Sequence, residues 1–477
     1  VLEIQDIGTW KNKYNMPVFV TATCEFSRFD DPERVSAGEL TFLSTQGGAI
    51  ALFTTTRLSF SSSNFALNLN FYDKVFKKIN GKFPKMGDVI RLSKTPSNPN
   101  IRNFILLGDP ALRLAYPEHR VFTSSINGRV IDGKTDTLRA LSKVTITGRI
   151  GNESGQTLTS FNGIIYPTIY DKPAEVITKG NDVDSSPRKF MLQKNILYKG
   201  KASVVDGEYS FTFVVPKDIA YRMDYGRISY YATDGETDAA GFYENIMIGG
   251  SAPDSPIDDN GPEISLYMND TNFVMQGITD ENPVMLAYVR DSSGVNTVGN
   301  GIGHDIIAIL DGNTEQSIVL NDYYEADLDS YRSGVIRYPF FGLAEGKHTL
   351  QLKVWDVYNN SSTAYIEFEV ADSDNLTLNH LYSYPNPMQD HTWFVFEHNQ
   401  PGMELDIDLR IYALDGRMVH AIRQRSYTVG YRTEPMLWDG RMDNGMPVPG
   451  GFYVYRVRVD GGNGYSNEMS GKMIIAR

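Results

Sequence analysis

The chain has 477 residues, 12% of them aromatic, and a formal net charge of −13. That charge argues against a basic surface tracking phosphates, so nucleic acid is a poor candidate partner, and no apolar run reaches the roughly 18 residues needed to cross a bilayer as a helix. The length suits three or four domains, the 28 Tyr, 24 Phe and 42 Gly suit strands and tight turns, and a start at Val1 without Met reads as an excerpt or a processed product.

The first apolar run, Pro17 to Ala22, ends at Cys24, the only cysteine of the chain. A side chain at the C-terminal end of such a strand is presented to solvent at the edge where α/β proteins keep reactive groups, although an isolated thiol is more often a small buried hydrophobe. A helical segment from about Pro32 to Leu43 follows, then Gly47, Gly48 and a second apolar run, Ala49 to Phe53. This β-α-β order implies a parallel pair with a crossover. The second strand opens into the polar loop TTTRLSFSSSN, where Asn64 is placed to cap a helix carrying Phe65, Leu69, Tyr72 and Phe76 at helical spacing. A short helix near Val89 to Leu92 and a third strand, Asn103 to Leu107, lead to LLGDPALRLAYP, where the α/β pattern stops.

Beyond Tyr116 the period becomes two: Val144, Ile146, Gly148 and Ile150; Tyr209, Phe211, Phe213 and Val215; Ile228, Tyr230 and Ala232. Each run reads as a half-buried antiparallel strand, so 117–250 is a predicted β-sandwich with a patternless polar insertion near Asp171 to Arg188. The Gly/Pro/Asp-rich stretch 251–261 is a linker. A second sandwich, 262–371, holds Val284 to Val289, the alternating Leu350, Leu352 and Val354, and Ile366, Phe368 and Val370; its turn spacing favours an immunoglobulin-like architecture. The last module, 376–477, opens on YPNP (Tyr384 to Pro387) and continues with Leu405, Ile407, Leu409 and Ile411, then Tyr453, Tyr455, Val457 and Val459, separated by Asp-Gly, Asn-Gly and Gly-Gly turns.

The strand ending in Cys24, the Gly-bounded second strand and the closing GDP with its Leu/Arg run resemble the gingipain-like cysteine peptidases. The YPNP module is similar to the C-terminal domains of type IX secretion, and the order of domains resembles that of the sortases of that system. The resemblance implies that 1–116 is the C-terminal half of a caspase-like α/β peptidase domain, followed by all-β immunoglobulin-like sandwiches and a type IX secretion C-terminal β-sandwich domain. It implies a cell-surface cysteine endopeptidase or transpeptidase at the outer membrane that removes the C-terminal signal domain of secreted cargo through a Cys24 thioester and passes the cargo to an amine on anionic lipopolysaccharide. An outer-membrane β-barrel would dock the C-terminal module. The alternative is a catalytically inactive multidomain surface scaffold or adhesin.

Thiolate attack on a peptide carbonyl needs a base and oxyanion donors. Residues 1–118 contain no histidine, and in the resembled family the base is a His of a His-Gly pair on the preceding strand, expected here upstream of Val1. The Cys24 backbone N–H is the expected oxyanion donor. Glu25 is a candidate modulator of the thiol, with a solvated carboxylate as the alternative. Thr54, Thr55, Thr56 and Arg57 are candidates for the wall of the primary substrate pocket, with a plain hydroxyl-rich turn as the alternative; hydroxyls without a buried carboxylate suit small or polar residues before the scissile bond. His119, His304, His348, His380, His391, His398 and His420 lie in the sandwiches and are expected to be structural or solvated. No cofactor is implied. Asp258 with Asp259, Asp372 with Asp374, and Asp439 with Asp443 offer oxygen ligands of the kind calcium takes, but none has the spacing of a calcium loop, and turn or linker roles explain them more simply.

Overall fold

The computed structural model describes residues 4–476 except 11, 22, 95–98, 132, 134–135, 182–184, 254–255, 298–302, 374 and 462–463. It is β-rich, with few helices and many sheets. The chain divides into two compact units, Val1–Pro117 and Glu118–Arg477.

The first unit contains the short helix α1 (Ile4–Gly8), strand β1 (Val18–Val20), helix α2 (Ala37–Leu43), strand β2 (Ala51–Thr55), helices α3 (Ser61–Val75) and α4 (Met86–Ser93), and strand β3 (Phe104–Leu107). The strands form one sheet in the order β1-β2-β3. β1 runs parallel to β2, with Val18 opposite Ala51 and Val20 opposite Phe53. β3 runs antiparallel to β2, so the sheet is mixed rather than wholly parallel. The central strand β2 is buried along its whole length. Phe53 stacks on Phe71 at 5.4 Å and meets Phe104 at 5.6 Å between ring centres, which builds the core with Leu67, Val75, Met86 and Val89.

Two helices depart from the sequence expectation. α2 starts at Ala37 rather than near Pro32, because Ser36 caps it and Glu39 returns the bond to the Ser36 N–H in a capping box. α3 begins at Ser61, so Asn64 is not its cap but a buried residue of its first turn, and the buried face is Leu67, Phe71 and Val75. Phe65, Leu69, Tyr72 and Phe76 lie on the exposed side. Gly48, between α2 and β2, has φ of 109°, and a Cβ there would lie 1.9 Å from the Thr41 carbonyl oxygen, so the return to the sheet requires glycine.

The second unit holds three hydrophobic cores. In the first, the expected alternation becomes cross-strand pairing: Phe211 stands opposite Ile146 and Phe213 opposite Val144, while Tyr198 stacks on Phe213 at 4.8 Å. Fully burying each such side chain contributes about 1.5–3 kcal/mol over leaving it in water. The polar insertion pairs Ala174–Ile177 with Lys189–Leu192 as an antiparallel hairpin. The second core lies between a four-stranded and a five-stranded sheet, with Leu350 opposite Ile366 in the latter.

The third core lies between a three-stranded and a four-stranded sheet. Ile411, Leu409 and Ile407 face Tyr455, Val457 and Val459 across the antiparallel ladder. Trp438 is buried and donates its indole N–H to the Arg441 carbonyl at 2.9 Å. Tyr453 and Tyr455 therefore belong to this core, whereas Phe452 beside them is exposed. At the junction with the preceding sheets, the buried Glu397 carboxylate accepts the Ile278 N–H at 3.4 Å and is paired with His380 Nδ1 at 2.8 Å.

Candidate functional site

Cys24 lies on a turn that leaves the sheet at the end of β1. The Thr21 N–H donates to the Phe53 carbonyl at 3.0 Å, continuing the parallel ladder, and the Ser27 N–H rejoins β2 through the Thr55 carbonyl at 2.9 Å. Between these anchors the thiol is exposed. Its Sγ donates to the Ser59 carbonyl at 3.2 Å and accepts from the Ser59 N–H at 3.4 Å. Glu25 adopts φ of 54°, the left-handed region that a side chain enters at a cost of about 1–2 kcal/mol. The turn therefore presents the nucleophile candidate on strained backbone beside the loop that follows β2.

That loop does not form the expected pocket wall as a whole. Thr54 and Thr55 are fully buried, because they still belong to the central strand, and their hydroxyls are engaged inside the protein. Thr54 Oγ1 accepts from Thr21 Oγ1 and from Ser27 Oγ, each at 3.0 Å. Thr55 Oγ1 donates to the Thr23 carbonyl at 2.5 Å. Thr56 is half-buried, and its hydroxyl donates to the Asn103 carbonyl at 3.1 Å. Arg57 is exposed and makes a bidentate pair with Asp30 at 2.9 and 2.5 Å; its guanidinium holds the Asp30 carboxyl below the usual carboxylate range. Glu25 pairs with Arg28 at 3.3 Å instead of facing solvent alone. Sequence reasoning missed Thr21, Ser27, Asp30 and Ser59; the first two were legible only as small hydroxyl residues within three positions of Cys24.

The histidines are held structurally. His304 pairs with Asp218, His348 lies between Asp311 at 2.8 Å and the Ala344 carbonyl at 2.7 Å, and His420 pairs with Asp443 at 2.8 Å. His119 and His391 make edge contacts with Phe161 and Trp393. Burial pushes His398 down to about 4.

The acidic pairs read as turn formers. Asp439 accepts the Arg441 N–H, and Asp372 lies 3.4 Å from the Asn375 amide; Asp374 lies outside the described residues. Asp258 joins Asp291 and Asp356, two residues that the sequence did not single out, with their carboxylate oxygens within 4.8 Å of one another. Ser292 and Ser293 hydroxyls donate to Asp258, the Ser293 and Gly294 N–H groups to Asp291, and the Tyr358 and Asn360 N–H groups to Asp356. Burial pushes the Asp291 carboxyl up to about 6 against the pull of those N–H groups, with the Asp356 and Asp258 charges adding to it.

Among curated proteins nothing matches the chain. Among solved structures it is similar to dimeric latent PorU from Porphyromonas gingivalis, at 30% identity over 89% of this chain and 41% of that one, with a TM-score of 0.36. It thus spans about two-fifths of the length of that protein. The complex of Porphyromonas gingivalis RgpB pro- and mature domains is matched at 12% identity over 51% of this chain and 49% of that one, with a TM-score of 0.22. Residues 1–115, which carry Cys24 and both strands beside it, match the model of peptidase family C25. Over this segment the chain is similar to peptidase family C25, the gingipain family of cysteine peptidases.

Proposed function

We propose that the chain is part of a cell-surface cysteine peptidase that works as a transpeptidase, with Cys24 as its nucleophile. The observation that carries this reading is the single exposed thiol on a strained turn at the end of β1, inside the segment matched to family C25. In this reading the first unit is the C-terminal half of a caspase-like catalytic domain and the sandwiches are immunoglobulin-like.

The Cys24 thiolate adds to the carbonyl carbon of the scissile peptide, and the Cys24 backbone N–H holds the oxyanion. Collapse of the tetrahedral intermediate breaks the C–N bond; the leaving amine takes a proton, and a thioester remains. An amine then attacks the thioester, releasing the thiol and forming a new amide, whereas water in that role gives hydrolysis. The base is not a histidine of the first unit, which has none. The proposed substrates are type IX secretion cargo proteins cleaved before their C-terminal domain, and the proposed acceptor is an amine of anionic lipopolysaccharide. An outer-membrane β-barrel is the proposed partner of the module beginning near Leu376.

A second reading, an inactive surface scaffold or adhesin, is favoured by the hold of Ser59 on the thiol. Cys24→Ala in the full-length protein separates the two. Loss of a thiol at an exposed strand end opens little cavity and costs about 1 kcal/mol or less, so the variant is expected to fold, melt within a few degrees of the parent and leave cargo uncleaved on an immunoblot. Cargo cleavage retained by the variant would establish the scaffold reading.

A further inference from the structure

Thr54 and Thr55 are too deeply buried to touch a substrate, and their hydroxyls all point at the turn that carries Cys24. We infer that Thr55, braced by Thr54, is a positioning residue that sets the direction of the Cys24 backbone N–H. The inference rests on the reading of Cys24 as nucleophile and goes beyond it, because it concerns what aims the oxyanion donor.

The decisive contact is the bond from Thr55 Oγ1 to the Thr23 carbonyl at 2.5 Å. That carbonyl and the Cys24 N–H belong to one peptide unit. A peptide is planar, and in the trans form its C=O and N–H point in opposite directions. Fixing the Thr23 oxygen toward the interior therefore fixes the Cys24 hydrogen toward the outside of the turn, where the exposed thiol lies. A hydrogen bond accepted at the carbonyl also polarises the amide, and its N–H becomes a stronger donor.

The rest of the turn is built to keep this orientation under strain. Glu25, the residue after Cys24, is left-handed without being glycine, and such a conformation persists only where its surroundings over-determine it. Thr54 Oγ1 supplies one brace on each side, Thr21 Oγ1 before the thiol and Ser27 Oγ after it. Ser27 is wedged against α2: a Cβ on Gly38 would lie 1.8 Å from Ser27 Oγ. The Gly38 N–H also holds the Phe26 carbonyl at 2.8 Å. Two adjacent threonines at the end of a central strand thus address both flanks and the middle of one turn. Valine in either position would fill the same volume without the hydroxyl, so packing alone does not require threonine.

The test compares Thr55→Val, which keeps the shape and removes the donor, with Thr55→Ser, which keeps the donor, in the full-length protein. Two chemistries separate the thiol from the donor. Alkylation by iodoacetamide is a displacement at carbon that develops no oxyanion, whereas reversible addition to a peptide aldehyde creates an oxygen anion at the position the Cys24 N–H serves. Thr55→Val is expected to keep the iodoacetamide rate within about threefold while weakening aldehyde inhibition and kcat by about 100-fold, the usual cost of an oxyanion donor, with KM nearly unchanged. Thr55→Ser is expected to restore both to within about fivefold of the parent. The inference is overturned if Thr55→Val leaves aldehyde inhibition intact, or if alkylation and aldehyde addition fall together with the melting temperature in both variants, since the threonine is then only packing. Cargo cleavage by Cys24→Ala would instead overturn the nucleophile itself, a failure distinct from either of these.

Discussion

Asp291 is a carboxylic acid whose burial shifts its ionisation to a higher pH than an ordinary aspartate's. Its carboxyl stands at about 6, against 3.8 for an ordinary aspartate, chiefly through burial, with Asp356 and Asp258 nearby. The folded state then binds the proton more tightly than the unfolded chain does. The stabilisation is complete below about pH 4 and is lost as pH rises through 6. Asp291→Asn keeps a side-chain oxygen for the Ser293 and Gly294 N–H groups while removing the charge. It is expected to stabilise the second unit by about 1–2 kcal/mol at pH 7.5 and hardly at all at pH 4, read as urea unfolding at the two pH values; equal effects at both would refute the charge argument. His398 works in the opposite sense, since its folded value near 4 lies below 6.5 and its contribution is lost as pH falls through that window. The comparison must therefore be variant against parent at each pH. Cys24 was legible in the sequence because a lone thiol at the end of an apolar run is a local signal. The Asp258, Asp291 and Asp356 cluster was not, because loops far apart in the chain bring it together. Thr54 and Thr55 were legible as a hydroxyl pair but not as buried, since the extent of a central strand is set by the neighbours on both its sides.

Helix α3 shows the same limit at the scale of an element. It carries two apolar stripes, Leu67, Phe71 and Val75 on one side and Phe65, Leu69, Tyr72 and Phe76 on the other. Spacing alone identifies the helix and cannot choose between the stripes. The choice is made by β2, whose Phe53 ring stacks on Phe71. Leu67 is 1% exposed and Phe65 is 66% exposed. Leu67→Ala is therefore expected to cost about 3 kcal/mol and Phe65→Ala no more than about 0.5, as measured by denaturant titration of the first unit's unfolding transition. A reversed ranking would mean that the larger aromatic stripe is the packed one. Where only one face of an element is apolar, sequence and structure agree closely: Tyr209, Phe211 and Phe213 alternate in the chain and are all buried on Glu208–Val214.

At the scale of the whole molecule, the module from Leu376 onward is joined to the sheets before it by specific bonds. Glu397 takes the Ile278 N–H from the edge strand Gly277–Thr279, Asn399 Nδ2 donates to the Asp372 carbonyl, and Gln400 Nε2 donates to the Ser373 carbonyl at 3.3 Å. Removing 376–477 uncovers that edge and leaves the Ile278 N–H to water. The truncated chain is expected to fold, because the preceding cores are separate, but with the second core melting several degrees lower and with the protein released from the membrane fraction. Retention at the membrane would assign docking to another part of the chain, and an unchanged melting profile would show that the junction contributes nothing to stability.

The first core of the second unit has a further consequence. Its sheet places His119 and Arg120 parallel to Ala239 and Ala240, and its smaller sheet pairs Asp136–Ala140 in parallel with Ile246–Ser251. Partners more than a hundred residues apart give it a high contact order, so loop-closure entropy must be met before the long-range pairs return any stability. Local hairpins such as Arg227–Thr233 with Asp238–Tyr243 can form early, but one side of His119–Ile126 and the whole of Asp136–Ala140 wait for strands near the module's end, so closure of the module is expected to be its slow step. During that interval the unpaired edges of these strands are open to misassociation.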